Sequence, residues 1–361
     1  MKDQFGNYVI QKFFEKGSIQ HKNMLFLVLK GKMGDLSLHT YGCRVVQKAI
    51  EELKDFPELQ EELLQELNNK IMICIQDQHG NHVIQKCFES INSQKLCFII
   101  TEVIQNIDTL AFHPYGCRVI QKILEFCQPN ETSKIYENLL INLINLCKCQ
   151  YGNYIIQYII EKKPGYNRDN ILNVVKQNFV QLSLNKFASN VTEKSLFNSN
   201  DDYKMGVLEV LFNQLSNNYL DTGFIKLTKN AFGNYVIQKF YERSNFQVQK
   251  RICEYLFQND DIYNDIISNN YGIAVFHIYI YIYIYIYIYI YIYIYIYIYV
   301  FKNKQIGKHV ISQIEKSRVD QNQNKQNFNQ GIQVKQQIEN NLIFNNKITK
   351  SISQKRKNNC Q

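Results

Sequence analysis

Proline and glycine are scarce, at 4 and 15 of 361 residues. A chain so poor in turn-formers does not read as a loop-rich β fold, and helices are favoured. Paired-cysteine motifs are missing as well. The ten cysteines are Cys43, Cys74, Cys87, Cys97, Cys117, Cys127, Cys147, Cys149, Cys253 and Cys360, with no Cys-x-x-Cys pair and Cys147-Lys-Cys149 standing alone. That argues against zinc ligation and against a disulfide framework. It reads as small buried hydrophobes in a reducing compartment. No metal site and no cofactor is expected. There is no His-Glu-x-x-His, phosphate-binding glycine loop or nucleophile motif, so an enzyme has little support. The start, Met1-Lys2-Asp3-Gln4-Phe5, lacks the apolar core of a signal peptide.

What is present is 45% hydrophobic and 20% charged, as in an ordinary soluble protein, over a length that suits a large core or a repeat array. The formal charge is +9. That fits a polyanionic partner, and it equally fits nothing more than solubility. The informative feature is repetition. The nonapeptide FGNYVIQKF occurs at Phe5–Phe13 and again at Phe232–Phe240. Five relatives lie between: YGCRVVQKAIE from Tyr41, HGNHVIQKCFE from His79, YGCRVIQKILE from Tyr115, YGNYIIQYIIE from Tyr151 and, most divergent, FASNVTEKSLF from Phe187. Anchored on the third residue (Asn7, Cys43, Asn81, Cys117, Asn153, Ser189, Asn234), the spacings are 36, 38, 36, 36, 36 and 45. A period near 36 belongs to helical solenoids. The long last step implies a loop insertion around Asn217–Gly223.

Each unit reads as a helix. Val9, Ile10 and Phe13 recur at helical spacing as an apolar stripe, with Asn7 and Gln11 on the opposite face and Tyr8 beside them. Glycine precedes the anchor in six of seven units, Ala188 being the exception. A small residue there lets neighbouring backbones pack closely. Amphipathic stretches such as Glu58–Cys74 and Ser133–Cys147 lie between units. The expected fold is therefore all-α, an α-solenoid of two or three helices per repeat.

The polar positions follow a different rule from the stripe. At the anchor, the next residue and the fourth after it, a few triplets recur. They are Asn7/Tyr8/Gln11, Asn153/Tyr154/Gln157 and Asn234/Tyr235/Gln238; Asn81/His82/Gln85; Cys43/Arg44/Gln47 and Cys117/Arg118/Gln121; and Ser189/Asn190/Glu193. One Asn or Gln on a helix is usually solvated surface, one Tyr packing, one Glu a surface charge. Seven triplets in register need another explanation.

Here the sequence closely resembles the Pumilio (PUF) family of RNA-binding repeat proteins, over roughly residues 1–272 and again from Lys308. The resemblance implies a crescent of helical repeats that reads one base per repeat with two or three side chains. The chemistry suits that role. Asn and Gln each carry a donor and an acceptor, matching the mixed edge of uracil. Cys with Gln suits adenine, one side by contact and one by hydrogen bond. Glu193 only accepts, and guanine offers two adjacent donors, with Ser189 adding a hydroxyl. Tyr8, His82, Tyr154 and Tyr235 can stack between bases, as can the guanidinium planes of Arg44 and Arg118. In the family RNA runs antiparallel to the repeats. Reading back from Asn234 gives the expected site 5′-UGUAUAU-3′, with its UGUA core.

Two features depart from the family pattern. The chain starts at the first reading helix, where the family usually has a further repeat and a cap, so a truncated N-terminus is expected and the face of Val9, Ile10 and Phe13 would lie partly open. The second is Ile278–Tyr299, eleven consecutive Ile-Tyr pairs. It could span a membrane, form a strand, or be a translated ATATAT repeat. The third is favoured. Removing Ile273–Gly307, 35 residues, joins the flanks as YGKHVISQIEK and cuts the distance from Asn234 to Lys308 from 74 to 39. Residues 308–316 then continue a C-terminal cap repeat, with Lys308, His309 and Ser312 at the reading positions. From Ser317 the chain is rich in Asn, Gln and Lys and reads as a disordered tail.

The resemblance implies a cytoplasmic, monomeric binder of single-stranded RNA in mRNA 3′ untranslated regions. It would act without a membrane and would repress translation and promote decay through deadenylase or translational-repressor proteins. The alternative is a helical-repeat scaffold for proteins, which has no need of matched triplets in register.

Overall fold

The computed structural model describes residues 1–213, 220–257, 260–275 and 291–298. Most of the Ile-Tyr run, residues 308–316, the tail and part of the expected insertion at Asn217–Gly223 lie outside them. One unit comprises Met1–Tyr281. Of the second, Ile282–Gln361, the described part is a helix over 291–298. No helix among the described residues is long and apolar enough to cross a membrane.

The first unit is a helical solenoid, and no strand occurs among its described residues. Each repeat has three helices where its preceding segment is present. In repeat 2 a short helix, Met33–Ser37, leads into a reading helix, Gly42–Glu52, and then a long helix, Pro57–Asn68. The amphipathic stretch read as Glu58–Cys74 is thus two elements: it ends as a helix at Asn68 and restarts at Ile71. Ser133–Cys147 divides likewise into Pro129–Ile141 and Leu143–Lys148. The reading helices of the other repeats are Gly6–Lys16, Gly80–Ser90, Gly116–Phe126, Asn153–Lys162, Ala188–Phe197 and Gly233–Arg243. Consecutive reading helices pack side by side along the chain order.

The few prolines sit where they do least harm. Pro57 and Pro129 occupy the first turn of long helices, where a missing N–H has no partner to lose. Pro114 and Pro164 lie between helices.

The core follows from positions two, three, six and seven after each anchor. In repeat 4 these are Val119, Ile120, Ile123 and Leu124, all buried, and repeat 5 has Ile155, Ile156, Ile159 and Ile160. Each fully buried aliphatic side chain contributes about 1.5–3 kcal/mol relative to exposure. Repeat 1 differs as expected: Val9 and Phe13 are 55% and 50% exposed, while Val45 and Ala49 at the same register are fully covered. The glycine before the anchor has a specific cause. A Cβ on Gly116 would stand 2.5 Å from the Leu110 carbonyl oxygen, and one on Gly233 would stand 2.8 Å from that of Leu227. The close approach is to the short helix of the same repeat rather than to a neighbouring repeat.

Candidate nucleic-acid interface

The seven triplets emerge from the first two turns of seven consecutive reading helices, and their exposure repeats. The second residue is always exposed: Tyr8, Arg44, His82, Arg118, Tyr154, Asn190 and Tyr235. The third is always half-buried: Gln11, Gln47, Gln85, Gln121, Gln157, Glu193 and Gln238. The first corrects the sequence reading. Asn7, Asn81, Asn153 and Asn234 do not lie on an open polar face but are buried, between 0% and 3% exposed. They are tolerated inside because every polar atom is used. Asn234 Nδ2 donates to the carbonyls of Asn230 (2.7 Å) and Ala231 (3.0 Å), and its Oδ1 accepts from Gln238 Nε2 at 3.2 Å. The same Gln-to-Asn bond measures 2.9 Å in repeat 1, 2.8 Å in repeat 3 and 2.7 Å in repeat 5. In the Cys-anchored repeats the glutamine turns to the backbone instead, Gln47 to the Cys43 carbonyl at 3.2 Å and Gln121 to that of Cys117 at 3.3 Å. The anchor residue therefore decides where the glutamine amide is held.

Electrostatics keep the reading groups in defined states. Burial pushes the Cys43 thiol up and the Cys117 thiol up to about 11, so both remain neutral contact surfaces. Burial, then the charges of Arg118 and His79, hold His82 below the ordinary imidazole value. At neutral pH it is an uncharged ring. Repeat 6 carries the one carboxylate. Lys194 pairs with Glu161 at 2.6 Å, leaving Glu193 without a cation among the described residues. Glu193 opens onto a cleft of about 480 Å³ shared with Gln157, Asn190, Lys194 and Phe197. A ligand with two adjacent N–H donors would satisfy it.

One residue after the third reading position, lysines form a row tied to glutamates: Lys12–Glu15 (2.7 Å), Lys48–Glu51 (2.9 Å), Lys86–Glu89 (2.7 Å), Lys122–Glu125 (3.0 Å) and Lys239–Glu242 (2.8 Å). Lys122 also bridges back to Glu89 of the preceding repeat at 3.1 Å. Exposed pairs of this kind contribute little stability. The five lie within single helices; Lys122–Glu89 and Lys194–Glu161 are the ones here that tie a reading helix to the one before it. Repeat 6 replaces the glutamate with Phe197, and Arg243 of the next repeat covers that ring at 4.1 Å.

Sequence reasoning missed one position. The residue four before each anchor caps the reading helix by accepting its first N–H groups. Asp77 Oδ1 accepts from His79 and Gly80, both at 2.8 Å, and Asn230 Oδ1 from Phe232 and Gly233, both at 2.9 Å. His39 Nδ1 accepts from Tyr41 and Gly42 (3.2 and 3.3 Å), and His113 Nδ1 from Tyr115 and Gly116 (both 3.2 Å). Asp3 and Asn185 do the same, and Cys149 Sγ takes one N–H in repeat 5. The recurring acceptor was visible at fixed register, but its identity changes too often for simple similarity to expose it. Asn269 repeats the cap once more, accepting from Tyr271 (2.9 Å) and Gly272 (3.4 Å) at the start of a helix over 270–275.

The repeats that carry this geometry, one exposed flat or planar side chain and one half-buried amide or carboxylate each, have known relatives. The family model for the Pumilio-family RNA binding repeat matches residues 1–29, 32–67, 74–104, 106–140, 142–176, 178–212 and 223–256, more than half of the chain. Pumilio homolog 1 of Xenopus laevis is 39% identical over 118 residues, 33% of this chain and 10% of that protein. The Pumilio domain-containing protein C6G9.14 of Schizosaccharomyces pombe is 27% identical over 254 residues, 70% of this chain and 36% of that protein. The chain thus spans about a tenth and about a third of these two relatives. Among solved structures, the Puf3 RNA binding domain bound to a Cox17 RNA 3′ UTR recognition sequence is 39% identical with a TM-score of 0.63, over 71% of this chain and 78% of that one. PUF-8 in complex with PBE-RNA is 28% identical with a TM-score of 0.70, over 77% and 79%. Seven repeats in register, their common site geometry and these matches make one statement: the chain belongs to the Pumilio family of RNA-binding repeat proteins.

Proposed function

We propose that this protein binds single-stranded RNA sequence-specifically, one base per repeat, at 5′-UGUAUAU-3′. The observation that carries this reading is the uniform presentation of seven triplets, each with an exposed stacking residue beside a half-buried edge-reading residue. Asn/Gln repeats face uracil, Cys/Gln repeats adenine, and Ser189/Glu193 the single guanine. The Puf3 domain bound to a 3′ UTR recognition sequence supports an mRNA 3′ untranslated region as the setting. In that setting the protein represses translation and shortens message lifetime in the cytoplasm, as a monomer, with deadenylase or translational-repressor proteins as partners.

The domain reading is part of the proposal. Residues 1–272 hold the RNA-binding repeats, 273–307 a translated intron, 308–316 the rest of a cap repeat, and 317–361 a tail. The cap at Asn269, with the helix over 270–275 that follows it, supports an eighth reading-type helix that starts in register. Sequencing mature transcripts across this junction tests it; a message that retains the Ile-Tyr codons overturns the intron.

RNA specificity is tested by exchanging a whole triplet. Ser189→Asn, Asn190→Tyr and Glu193→Gln together should switch the second base from G to U, with each mismatch costing about 1–3 kcal/mol. Fluorescence anisotropy with the two RNAs reads the switch. An unchanged preference, or equal affinity of the parent chain for both, refutes the assignment.

A further inference from the structure

Histidine serves as the cap residue only in repeats 2 and 4, the two with a cysteine anchor. In the Asn-anchored repeats the first turn has a second side-chain lock, because the anchor amide donates back to the carbonyl four residues earlier: 3.0 Å from Asn7 to Asp3, 2.8 Å from Asn81 to Asp77, 2.7 Å from Asn153 to Cys149. Cysteine offers only a weak thiol contact, 3.5 Å from Cys43 to the Thr40 carbonyl and 3.5 Å from Cys117 to that of Pro114. The imidazole is therefore the main side-chain hold on the turn from which Cys43, Arg44, Cys117 and Arg118 project.

We propose that His39 and His113 are positioning residues for adenine readout, holding their reading helices only while the imidazoles are neutral, so that recognition of the two adenines fades in mild acid. The inference rests on the assignment of repeats 2 and 4 to adenine. An imidazole accepts at Nδ1 only when that nitrogen is unprotonated; imidazolium has two donors and no acceptor. It would also place positive charge at the positive end of the helix dipole. Burial already holds His113 below its ordinary value of 6.5. The neutral form is therefore intact above that value, and its stabilisation is lost as pH falls below it.

The surroundings offer the imidazoles no carboxylate partner among the described contacts. Their rings pair with Tyr41 and Tyr115. Asp77 and Cys149, the caps of the following repeats, act on Cys43 and Cys117, together with Arg44 and Arg118. On the preceding short helices, Asp35 is taken by Lys70 and Asp108 by Asn142.

The test is anisotropy of labelled UGUAUAU with the full chain at pH 7.5 and 5.5 and constant ionic strength. Parent affinity should fall about three- to tenfold, the scale expected when one or two groups must shed protons to bind. Replacing both adenines should cost less at the lower pH, while the cost of replacing the guanine stays unchanged. His39→Asn with His113→Asn keeps an acceptor, as Asn185 and Asn230 do, and should bind like the parent at pH 7.5 and hold that affinity at 5.5. His39→Ala with His113→Ala should bind weakly at both. A flat parent profile overturns the proposal, and so does an Asn double variant that keeps the parent's acid loss, which would point to His82. Loss of preference for UGUAUAU over the guanine-substituted RNA at pH 7.5 would instead overturn the RNA-reading assignment itself.

Discussion

Arg44 donates a guanidinium N–H to the Tyr8 hydroxyl across 3.1 Å, joining the second triplet positions of consecutive repeats. Both side chains are exposed, and on the proposed reading of one base per repeat the bond spans the space a base would enter between them. Stacking a base there requires the bond to break. Tyr8→Phe removes the bond and keeps the ring, so affinity for UGUAUAU should stay level or rise. Arg44→Ala removes a stacking plane and should cost about 1–3 kcal/mol. Anisotropy titration of both variants checks the pair; a large loss from Tyr8→Phe would show that the hydroxyl itself contacts RNA.

Asn234 and Gln238 touch each other but should fail differently. Asn234→Ala removes a buried side chain together with its bonds to the half-buried Asn230 and Ala231 carbonyls and to Gln238, and should lower stability by about 1–3 kcal/mol. Gln238→Ala takes one donor from the Asn234 Oδ1 at a half-buried position that water can reach, so it should lower the urea midpoint less while weakening RNA binding. Paired denaturation and binding curves separate the two. Equal midpoints for both variants would contradict the structural role of the anchor.

Gly116→Ala forces a methyl group to within 2.5 Å of the Leu110 carbonyl oxygen. Backbone cannot yield as a flexible side chain would, so the expected loss is about 1–3 kcal/mol. Circular dichroism in a urea series measures it. Glycine at Ala188, where the sixth unit already accepts a methyl group, is the comparison.

The thiols should react by environment. Burial pushes Cys87 and Cys147 up to about 12, and Cys97 is exposed. At pH 8 iodoacetamide should label Cys97 quickly and leave Cys87 and Cys147 unmodified until denaturant is added. Peptide mass spectrometry reads each site. Rapid labelling of Cys147 in the folded chain would mean that its repeat opens readily.

Periodicity alone determined much of this protein. Recurring register from Asn7 to Asn234 set the helices, the solenoid and which residues recur at each helix start, because a helix must present the same face to its neighbour in every repeat. The glycines were legible for the same reason. Tertiary structure decided what lies on each side of that face. Asn7 and its counterparts look like surface amides in one dimension, yet they are buried, since the chain turns back and offers carbonyls to saturate them. The caps at Asp3, His39 and Asn185 have no common residue type, because a helix N-terminus asks only for an acceptor. Periodicity finds repeated residues. It cannot find a repeated hydrogen bond made by different side chains, and that became visible only when the backbone N–H groups were placed in space.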